Sequence, residues 1–358
     1  MKLKKLALGL GLLAALGLAL AYVYRAPLSL AIASRVATAH LAADPLRELP
    51  DGLHVGLCGA GSPFSDDKRG GPCTLVIAGP HAFVFDAGNT AVRNLGRFGL
   101  AHGRIEAIFL THFHSDHLDG LGELLLQRWV STGNAKPAPV YGPEGVQDVV
   151  DGLRQAYRAD SGYRIAHHGE ATLPPGGFGG EARAFTVPQN GPLVLLKEGD
   201  LEIAAFAVDH APVHPAVGYR IRYKDRSVVI SGDTKKSAAV TREARGVDLL
   251  VHEALAAPMV GLIGEAAAKA GRPNVKKLMA DIVDYHSSPE QAAEVARDAQ
   301  VRYLLLNHIA PPLPLPGMEA AFLGRAGEIY TGPLRVGIDG DLVSLPASSP
   351  EIRHQRRF

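Results

Sequence analysis

The feature that most constrains this chain is a cluster of three histidines and one aspartate within six residues. His112, His114, Asp116 and His117 follow an apolar run at residues 105–110 that is typical of a β-strand. In layered α/β proteins, the loops at the carboxyl ends of strands carry the binding and catalytic groups. Imidazoles and a carboxylate suit zinc, and also manganese or iron(II). The cluster therefore predicts a metal site with room for two adjacent ions.

Three later segments also place metal-capable side chains directly after apolar runs. They contain His210, Asp233 and His308. The first of them also holds His214, four residues further on. We favour His210 as the ligand because it directly follows the predicted strand, and a rigid strand end holds a ligand better than a turn. His214 would then lie beside the site.

The rest of the chain alternates short apolar β-like runs with helical stretches, which predicts a layered α/β domain. A Gly/Pro-rich stretch at residues 170–192 predicts a long loop or lid. The predicted divisions are an anchor or signal at 1–25, a linker with a short helix at 26–50, the catalytic domain at 51–347 and a tail at 348–358.

The amino terminus carries 19 residues without a charge, 6–24, preceded by three lysines. A signal peptide has a shorter apolar core and a small-x-small cleavage site, for which residues 19–21 qualify. We favour a membrane anchor because the stretch has the length of a membrane span. The lysines favour a cytoplasmic amino end. The catalytic domain would then lie outside the cytoplasm, membrane-bound or, after cleavage, periplasmic or secreted.

The two cysteines, Cys58 and Cys73, lie in neighbouring strand-like runs. An oxidising compartment would permit a disulfide between them. We expect two separate buried thiols instead, because the sequence does not show that their Cβ atoms are close enough.

Charge and composition narrow the function. The formal net charge is +1, and residues 1–25 carry four positive charges and no acid, so the remainder is mildly acidic. That balance gives no support for nucleic-acid binding, which usually needs a basic face. Two cysteines exclude a cysteine-rich zinc module, whereas 15 histidines favour metal chemistry.

Taken together, these segments resemble the metallo-β-lactamase-fold hydrolases, more narrowly the branch of ribonuclease Z, arylsulfatases and phosphodiesterases. The resemblance runs from about residue 53 to residue 345 and implies a four-layer αββα sandwich. Its markers are GAGSP at 59–63, FDAG at 85–88, HFHSDH at 112–117, GYR at 218–220, SGDT at 231–234, VHEA at 251–254, HSS at 286–288 and NH at 307–308.

The resemblance implies a ligand set for two divalent metal ions, zinc first, with manganese or iron(II) as alternatives. Two such ions can share a water and lower its pKa towards neutrality. One ion would be held by His112, His114 and His210, the other by Asp116, His117 and His308, with Asp233 between them.

The resemblance also implies that His286 is a general acid and that Glu253 orients it, with Asp116 counted among the catalytic residues. The alternative for His286 is a neighbour of a helix cap without a catalytic role. Asp86 would hold a ligand loop from behind.

Substrate contacts are predicted just before the Gly/Pro-rich stretch. Tyr157 and Tyr163 could stack on a substrate, and Arg164 or His168 could meet an anionic group. The alternative is a solvated loop with ordinary packing tyrosines.

Two divalent cations beside two carboxylates would give the site a net positive charge. This charge favours an anionic ester as the substrate. We expect hydrolysis of a phosphodiester in a small anionic ester substrate, and the sequence gives no evidence for a nucleic-acid partner. The chain lacks the long Gly/Pro/basic arm of the tRNA-processing relatives. The alternatives are a sulfate ester hydrolase of the arylsulfatase type, a ribonuclease Z-like endonuclease, and a membrane-tethered binding protein on a hydrolase scaffold.

Overall fold

The computed structural model describes residues 2–42 and 48–358. Residues 43–47 of the predicted linker lie outside this range. The chain divides into two compact units, Met1–Pro45 and Leu46–Phe358.

The amino-terminal unit consists of helices α1 (Lys2–Val23) and α2 (Arg25–Ala42). Within α1, Lys5–Val23 has a mean hydropathy of 2.3 and its side chains are unburied. Its length and composition suffice to cross a membrane. A signal sequence shares both properties, so this helix leaves anchor and signal as alternatives.

The larger unit is built on two β-sheets. One has eight strands in the order β15-β14-β1-β2-β3-β4-β5-β6, and the other has seven in the order β13-β12-β11-β10-β9-β8-β7. The strands are β1 (Gly52–Gly59), β2 (Cys73–Ala78), β3 (His81–Phe85), β4 (Ala107–Phe109), β5 (Ala138–Pro143), β6 (Gly180–Phe185), β7 (Leu193–Glu198), β8 (Leu201–Ala207), β9 (Val217–Tyr223), β10 (Arg226–Ile230), β11 (Leu249–Leu255), β12 (Leu304–Ala310), β13 (Leu334–Val336), β14 (Asp341–Pro346) and β15 (Arg353–Arg356).

Helices cover the outer faces of both sheets. Four 3₁₀ turns accompany them, at His102–Arg104, Ser115–His117, Pro175–Gly177 and Ile282–Tyr285. The helices are α3 (Ala91–Arg97), α4 (Leu121–Thr132), α5 (Val146–Ala156), α6 (Arg158–His168), α7 (Ala238–Glu243), α8 (Ala257–Lys269), α9 (Pro273–Asp281), α10 (Pro289–Asp298), α11 (Met318–Leu323) and α12 (Ala326–Ile329).

Three apolar cores show the layering. The central core lies between the sheets and joins residues such as Phe109 and Tyr219. A second core packs α3, α4 and α5 against the eight-stranded sheet, and a third packs α7, α10, α11 and α12 against the other. The order is helix, sheet, sheet, helix, which confirms the predicted four-layer αββα sandwich.

The two sheets are tied together where the metal-capable loops begin. The hydroxyl of Tyr219, on β9, donates a 2.5 Å hydrogen bond to the carbonyl of Leu110, just after β4. Gly232 has a φ of 61°, and a Cβ there would lie 2.6 Å from the carbonyl of Val217. The glycine of the SGDT motif is therefore required by this close approach.

Some segments differ from the sequence predictions. Residues 158–168 form helix α6 instead of a loop, and the predicted lid at 170–192 contains strand β6. Helix α8 was not predicted, because its Ala- and Gly-rich sequence lacks a clear apolar stripe. The predicted tail contributes β15, which pairs with β14 at the edge of the sheet.

The expectation of two separate thiols is wrong, because Cys58 and Cys73 form a disulfide. β1 and β2 are antiparallel neighbours, and their register slips between Leu57 and Gly59. The slip places Cys58 beside Cys73, with their Cα atoms 4.9 Å apart.

We predict that replacing both cysteines by alanine lowers the free energy of unfolding by about 3 kcal/mol, because the bridge closes a loop of about 15 residues in the unfolded chain. Urea unfolding monitored by circular dichroism would measure the loss. Ready alkylation of both thiols in the native, unreduced protein would contradict the bridge.

Candidate metal centre

The first group of metal-capable side chains comes from three loops. His112, His114, His210 and Asp233 each offer a ligand atom, and these atoms all lie within 4.8 Å of one another. His112 Nε2 and His114 Nδ1 are 3.0 Å apart. His112, His210 and Asp233 are buried, and His114 is half-buried.

The second group combines two residues of the loop after β4 with one residue of β12, a strand of the seven-stranded sheet. Asp116 and His117 lie in the 3₁₀ turn that follows His114, and His308 lies in β12. Glu253 pairs with Asn307 and Ala254 with Ile309, so His308 is the extra residue of a β-bulge, with a φ of 48°. Bulges of this kind redirect a side chain out of the strand pattern.

Asp233 lies between the two groups. Its Oδ2 atom is 3.2 Å from His308 Nε2 and 3.3 Å from His117 Nε2. On the other side, it lies 3.8 Å from His112 Nε2 and 4.0 Å from His210 Nε2. One carboxylate therefore faces both groups, as a bridging ligand requires.

Two observations indicate that these residues fit metal ions. Tetrahedral zinc with bonds of about 2.0–2.2 Å places neighbouring ligand atoms about 3.3–3.6 Å apart, close to the separations around Asp233. The Nε2 atoms of His117 and His210 are buried without a hydrogen-bond partner. Buried nitrogens of this kind are normally satisfied, and a metal would satisfy them.

The electrostatics keep the bridging carboxylate ionised. Burial opposes ionisation of Asp233, but the imidazoles of His308 and His117 outweigh it and hold its pKa well below the usual value. For His112, burial and the neighbouring imidazole of His117 lower the pKa well below its ordinary value, which keeps a lone pair free for a metal.

Asp86 contacts the loop that carries the candidate ligands. Its carboxylate accepts hydrogen bonds from the backbone N–H and the hydroxyl of Thr111, both 2.8 Å. Its Oδ2 also lies 2.9 Å from His117 Nδ1. This contact leaves Nε2 of His117 facing Asp233, the orientation that a carboxylate partner gives to a ligating histidine.

Glu253 connects three of the sequence motifs. Its Oε1 accepts hydrogen bonds from the backbone N–H groups of Thr234 and Ser287, at 2.9 and 3.1 Å, and lies 3.0 Å from His286 Nδ1. Burial alone would lower the pKa of His286, but Glu253 outweighs it and raises the pKa to about 9. Glu253 therefore orients His286 beside the cluster and favours its protonated form.

Comparison with known proteins shows the family to which the chain belongs. A model of the β-lactamase superfamily domain matches residues 81–309. Ribonuclease Z of Mycobacterium sp. (strain KMS) is 36% identical over 288 residues, 80% of this chain and 94% of that protein. Ribonuclease Z of Mycobacterium avium is 36% identical over 299 residues, 83% of this chain and 100% of that protein. The chain belongs to the β-lactamase superfamily, in its ribonuclease Z branch.

Solved structures agree on the fold. A metallo-β-lactamase-fold protein of Bacillus subtilis, YhfI, matches with a TM-score of 0.61 at 18% identity, covering 82% of this chain and 100% of that one. The human short form of tRNase Z matches with a TM-score of 0.57 at 20% identity, covering 82% and 99%. The chain therefore has the metallo-β-lactamase fold, with a His/Asp cluster that is a candidate for metal binding.

The prediction of a small anionic ester as substrate, with no nucleic acid, is wrong. The relatives that match over most of this chain are ribonucleases by name. Net charge misled the prediction because it is averaged over the whole surface, whereas binding depends on the local field of one site. A positive metal centre can meet RNA phosphates even on a mildly acidic domain.

The predicted substrate residues lie elsewhere. Tyr157 packs against the small core around Trp129, and Tyr163 is 74% exposed. Arg164 pairs with Asp160 at 2.7 Å on α6, and the His168 ring contacts that of His167. None of the four is among the described residues that line the cavity beside the metal-binding groups.

Sequence reasoning missed the apolar residues that line that cavity. They are Phe64 and apolar residues of β11, α9 and the Ile282–Tyr285 turn. Their spacing on α9 is that of ordinary core positions, so periodicity alone does not separate them from core residues.

The structure places His210, and not His214, within the metal-binding groups; His214 is exposed and belongs to neither of them.

We predict that His210→Ala loses about one equivalent of metal, since it removes a buried ligand atom. His214→Ala, the matched control four residues away, should keep both equivalents. Metal content per chain, measured with circular dichroism as a folding check, decides the assignment; loss of metal only in His214→Ala would reverse it.

Proposed function

We propose that this chain is a dinuclear metal-dependent ribonuclease that hydrolyses phosphodiester bonds in RNA. The observation that carries the proposal is a set of seven metal-capable side chains, in which six are gathered around the carboxylate of the seventh, Asp233. The 36% identity to ribonuclease Z proteins over most of the chain supports RNA as the substrate class. Sulfate ester hydrolysis receives no comparable support.

Each half of the site would hold one divalent ion, with zinc the first expectation from the nitrogen and carboxylate ligands. Such a pair supplies Lewis acidity and an activated water at neutral pH. The chain's own contribution is to fix the ligands: Asp86 orients His117, and the carbonyl of Tyr285 lies 2.9 Å from His210 Nδ1. Both imidazoles therefore present Nε2 to the centre.

His286 is the proposed proton donor. Its Nδ1 is held by Glu253, so its Nε2 remains for the substrate, and the side chain lies with Asp233 and His308 in a third candidate group. Cations beside it would lower the raised pKa towards the neutral range that suits a general acid. Water attacks phosphorus and loses a proton to solvent, the bond to the leaving oxygen breaks, and Nε2–H donates its proton to that oxygen. Nε2 is then reprotonated from solvent.

We also propose that the hydrolase unit lies outside the cytoplasm, tethered by α1. Two features support this location: the apolar length of Lys5–Val23 and the disulfide between Cys58 and Cys73. Disulfides persist in oxidising compartments and are rare in the cytosol.

We predict that the full-length chain, purified in detergent and loaded with zinc or manganese, cleaves RNA, and that His286→Gln lowers kcat by 10²-fold or more while keeping both metals. End-labelled RNAs, one a tRNA precursor and one unstructured, would be separated on a denaturing gel. Metal content is measured on the same samples.

The matched control for His286→Gln is His214→Ala, since His214 is an exposed histidine outside the metal-binding groups. Its cleavage rate should equal that of the unaltered chain. Absence of cleavage of either RNA by the metal-loaded chain would contradict the proposed function, and an unchanged rate in His286→Gln would remove His286 from the mechanism.

For the location, we predict that the full-length chain expressed in a bacterial host sediments with membranes after an alkaline wash and keeps its amino-terminal residues. An external protease should digest the hydrolase unit in spheroplasts without lysis. Digestion only after lysis would place the unit in the cytoplasm. A soluble product whose mass shows loss of about the first 21 residues would show a cleaved signal instead.

A further inference from the structure

His308 differs from other histidines of the candidate metal centre at its Nδ1 atom. Nδ1 of His117 lies 2.9 Å from Asp86 Oδ2. Nδ1 of His210 lies 2.9 Å from the carbonyl oxygen of Tyr285. Nδ1 of His308 is buried, and no described residue is its hydrogen-bond partner. A neutral histidine that binds a metal through Nε2 carries its proton on Nδ1, and that N–H group normally donates to an acceptor.

Two buried oxygen atoms close to His308 also have no hydrogen-bond partner among the described residues. They are Glu253 Oε2 and Asn307 Oδ1. Glu253 on β11 pairs with Asn307 on β12, and His308 is the bulged residue that follows Asn307. Paired residues of neighbouring strands direct their side chains to the same face of a sheet. Buried polar atoms are normally hydrogen-bonded, so three such atoms together call for a shared partner.

An interior pocket of about 20 Å³ is lined by all three residues. This interior pocket is separate from the larger cavity that Phe64 lines, and Cys73 also belongs to its lining. A volume of about 10–15 Å³ is enough for one water molecule, provided that two to four polar groups can hold it. The interior pocket meets both conditions.

The hydrogen-bonding capacity of the three atoms decides which ligand fits. With a metal on Nε2, His308 Nδ1–H is a donor, whereas Glu253 Oε2 and Asn307 Oδ1 are acceptors. A cation would face the N–H group, and an anion would face two acceptor oxygens. A water molecule accepts one hydrogen bond and donates two, so it alone among these ligands satisfies all three atoms.

We propose that the interior pocket binds one water molecule, which accepts a hydrogen bond from His308 Nδ1–H and donates to Glu253 Oε2 and Asn307 Oδ1. Asn307 is then a positioning residue, because it holds the water that orients His308 towards the metal. The water does for this ligand what a carboxylate and a carbonyl do for two of the others. The inference concerns the metal centre and is independent of the substrate.

The water also gives Glu253 a second role. Its Oε1 lies 3.0 Å from His286 Nδ1, and its Oε2 would orient His308 through the water. The rings of His286 and His308 are stacked, with their centroids 5.3 Å apart and an angle of 24° between their planes. One carboxylate would thus fix the proposed proton donor and a candidate metal ligand in relation to each other.

A crystal structure of the metal-loaded full-length chain that resolves ordered waters tests the site directly. We expect one water oxygen within about 2.5–3.2 Å of His308 Nδ1, Glu253 Oε2 and Asn307 Oδ1. A water that contacts fewer of these atoms, a pocket without ordered water, or a direct hydrogen bond between two of the three side chains would overturn the proposal.

Two variants of nearly equal shape test the role of Asn307. Asn307→Val removes the acceptor, whereas Asn307→Thr supplies a hydroxyl oxygen in its place, and both introduce a β-branched residue that suits a strand. We expect Asn307→Val to weaken the binding of one zinc ion about tenfold or more, and Asn307→Thr to stay within about threefold of the unaltered chain. Competition with a zinc chelator measures each affinity, and circular dichroism checks folding.

The His210→Ala background identifies the affected ion, because it removes a ligand of the first group only. Adding Asn307→Val to it should weaken the remaining ion by the same factor. Equal affinities in the Val and Thr variants, or equal weakening of both ions by Asn307→Val, would overturn the positioning role. If a variant does not fold, the crystal structure of the unaltered chain decides. None of these measurements uses RNA, so an absence of RNA cleavage would contradict the proposed function alone.

Discussion

The carboxylate of Asp233 is the point on which the site depends. It is buried, and its Oδ2 atom lies within 4.0 Å of four imidazole nitrogens that come from two separate loops and a strand. An ionised carboxylate in such a place is stable only because those imidazoles or bound cations surround it. Conversely, imidazoles gathered this closely would repel one another once protonated. The two groups of ligands therefore need the same central anion.

The surrounding structure holds these charges in fixed orientations. Asp86 and Glu253 each receive backbone N–H donors and face the Nδ1 of one histidine, so His117 and His286 direct their Nε2 atoms to the centre. A carboxylate held by backbone N–H groups thus orients a candidate metal ligand, His117, in one case and the proposed proton donor, His286, in the other. What separates the two roles is position: His117 lies 3.3 Å from the bridging oxygen, whereas His286 borders the cavity.

The cavity beside this charged centre is lined in part by apolar side chains. Metal ions and imidazoles attract any phosphate ester, which explains why ligand residues alone do not select a substrate. The apolar residues of the cavity lining come from Phe64, β11, β12, α9 and the Ile282–Tyr285 turn. The local charge and chemistry of the site, rather than the overall charge of the chain, explain how a mildly acidic domain can have ribonuclease relatives.

The sequence by itself predicted the layered fold and the candidate residues of the metal centre, because most of them lie in or soon after an apolar strand and such strand ends meet at one edge of the layers. The order of the motifs also indicated the ribonuclease Z branch. Only the tertiary structure decided that His210, and not His214, joins the cluster, that Cys58 reaches Cys73, and that residues 157–168 lie away from the cavity. The disulfide depends on the register slip between β1 and β2, and residues 157–168 are placed by packing beside Trp129. Such features arise from contacts between residues distant in sequence, which local patterns do not record.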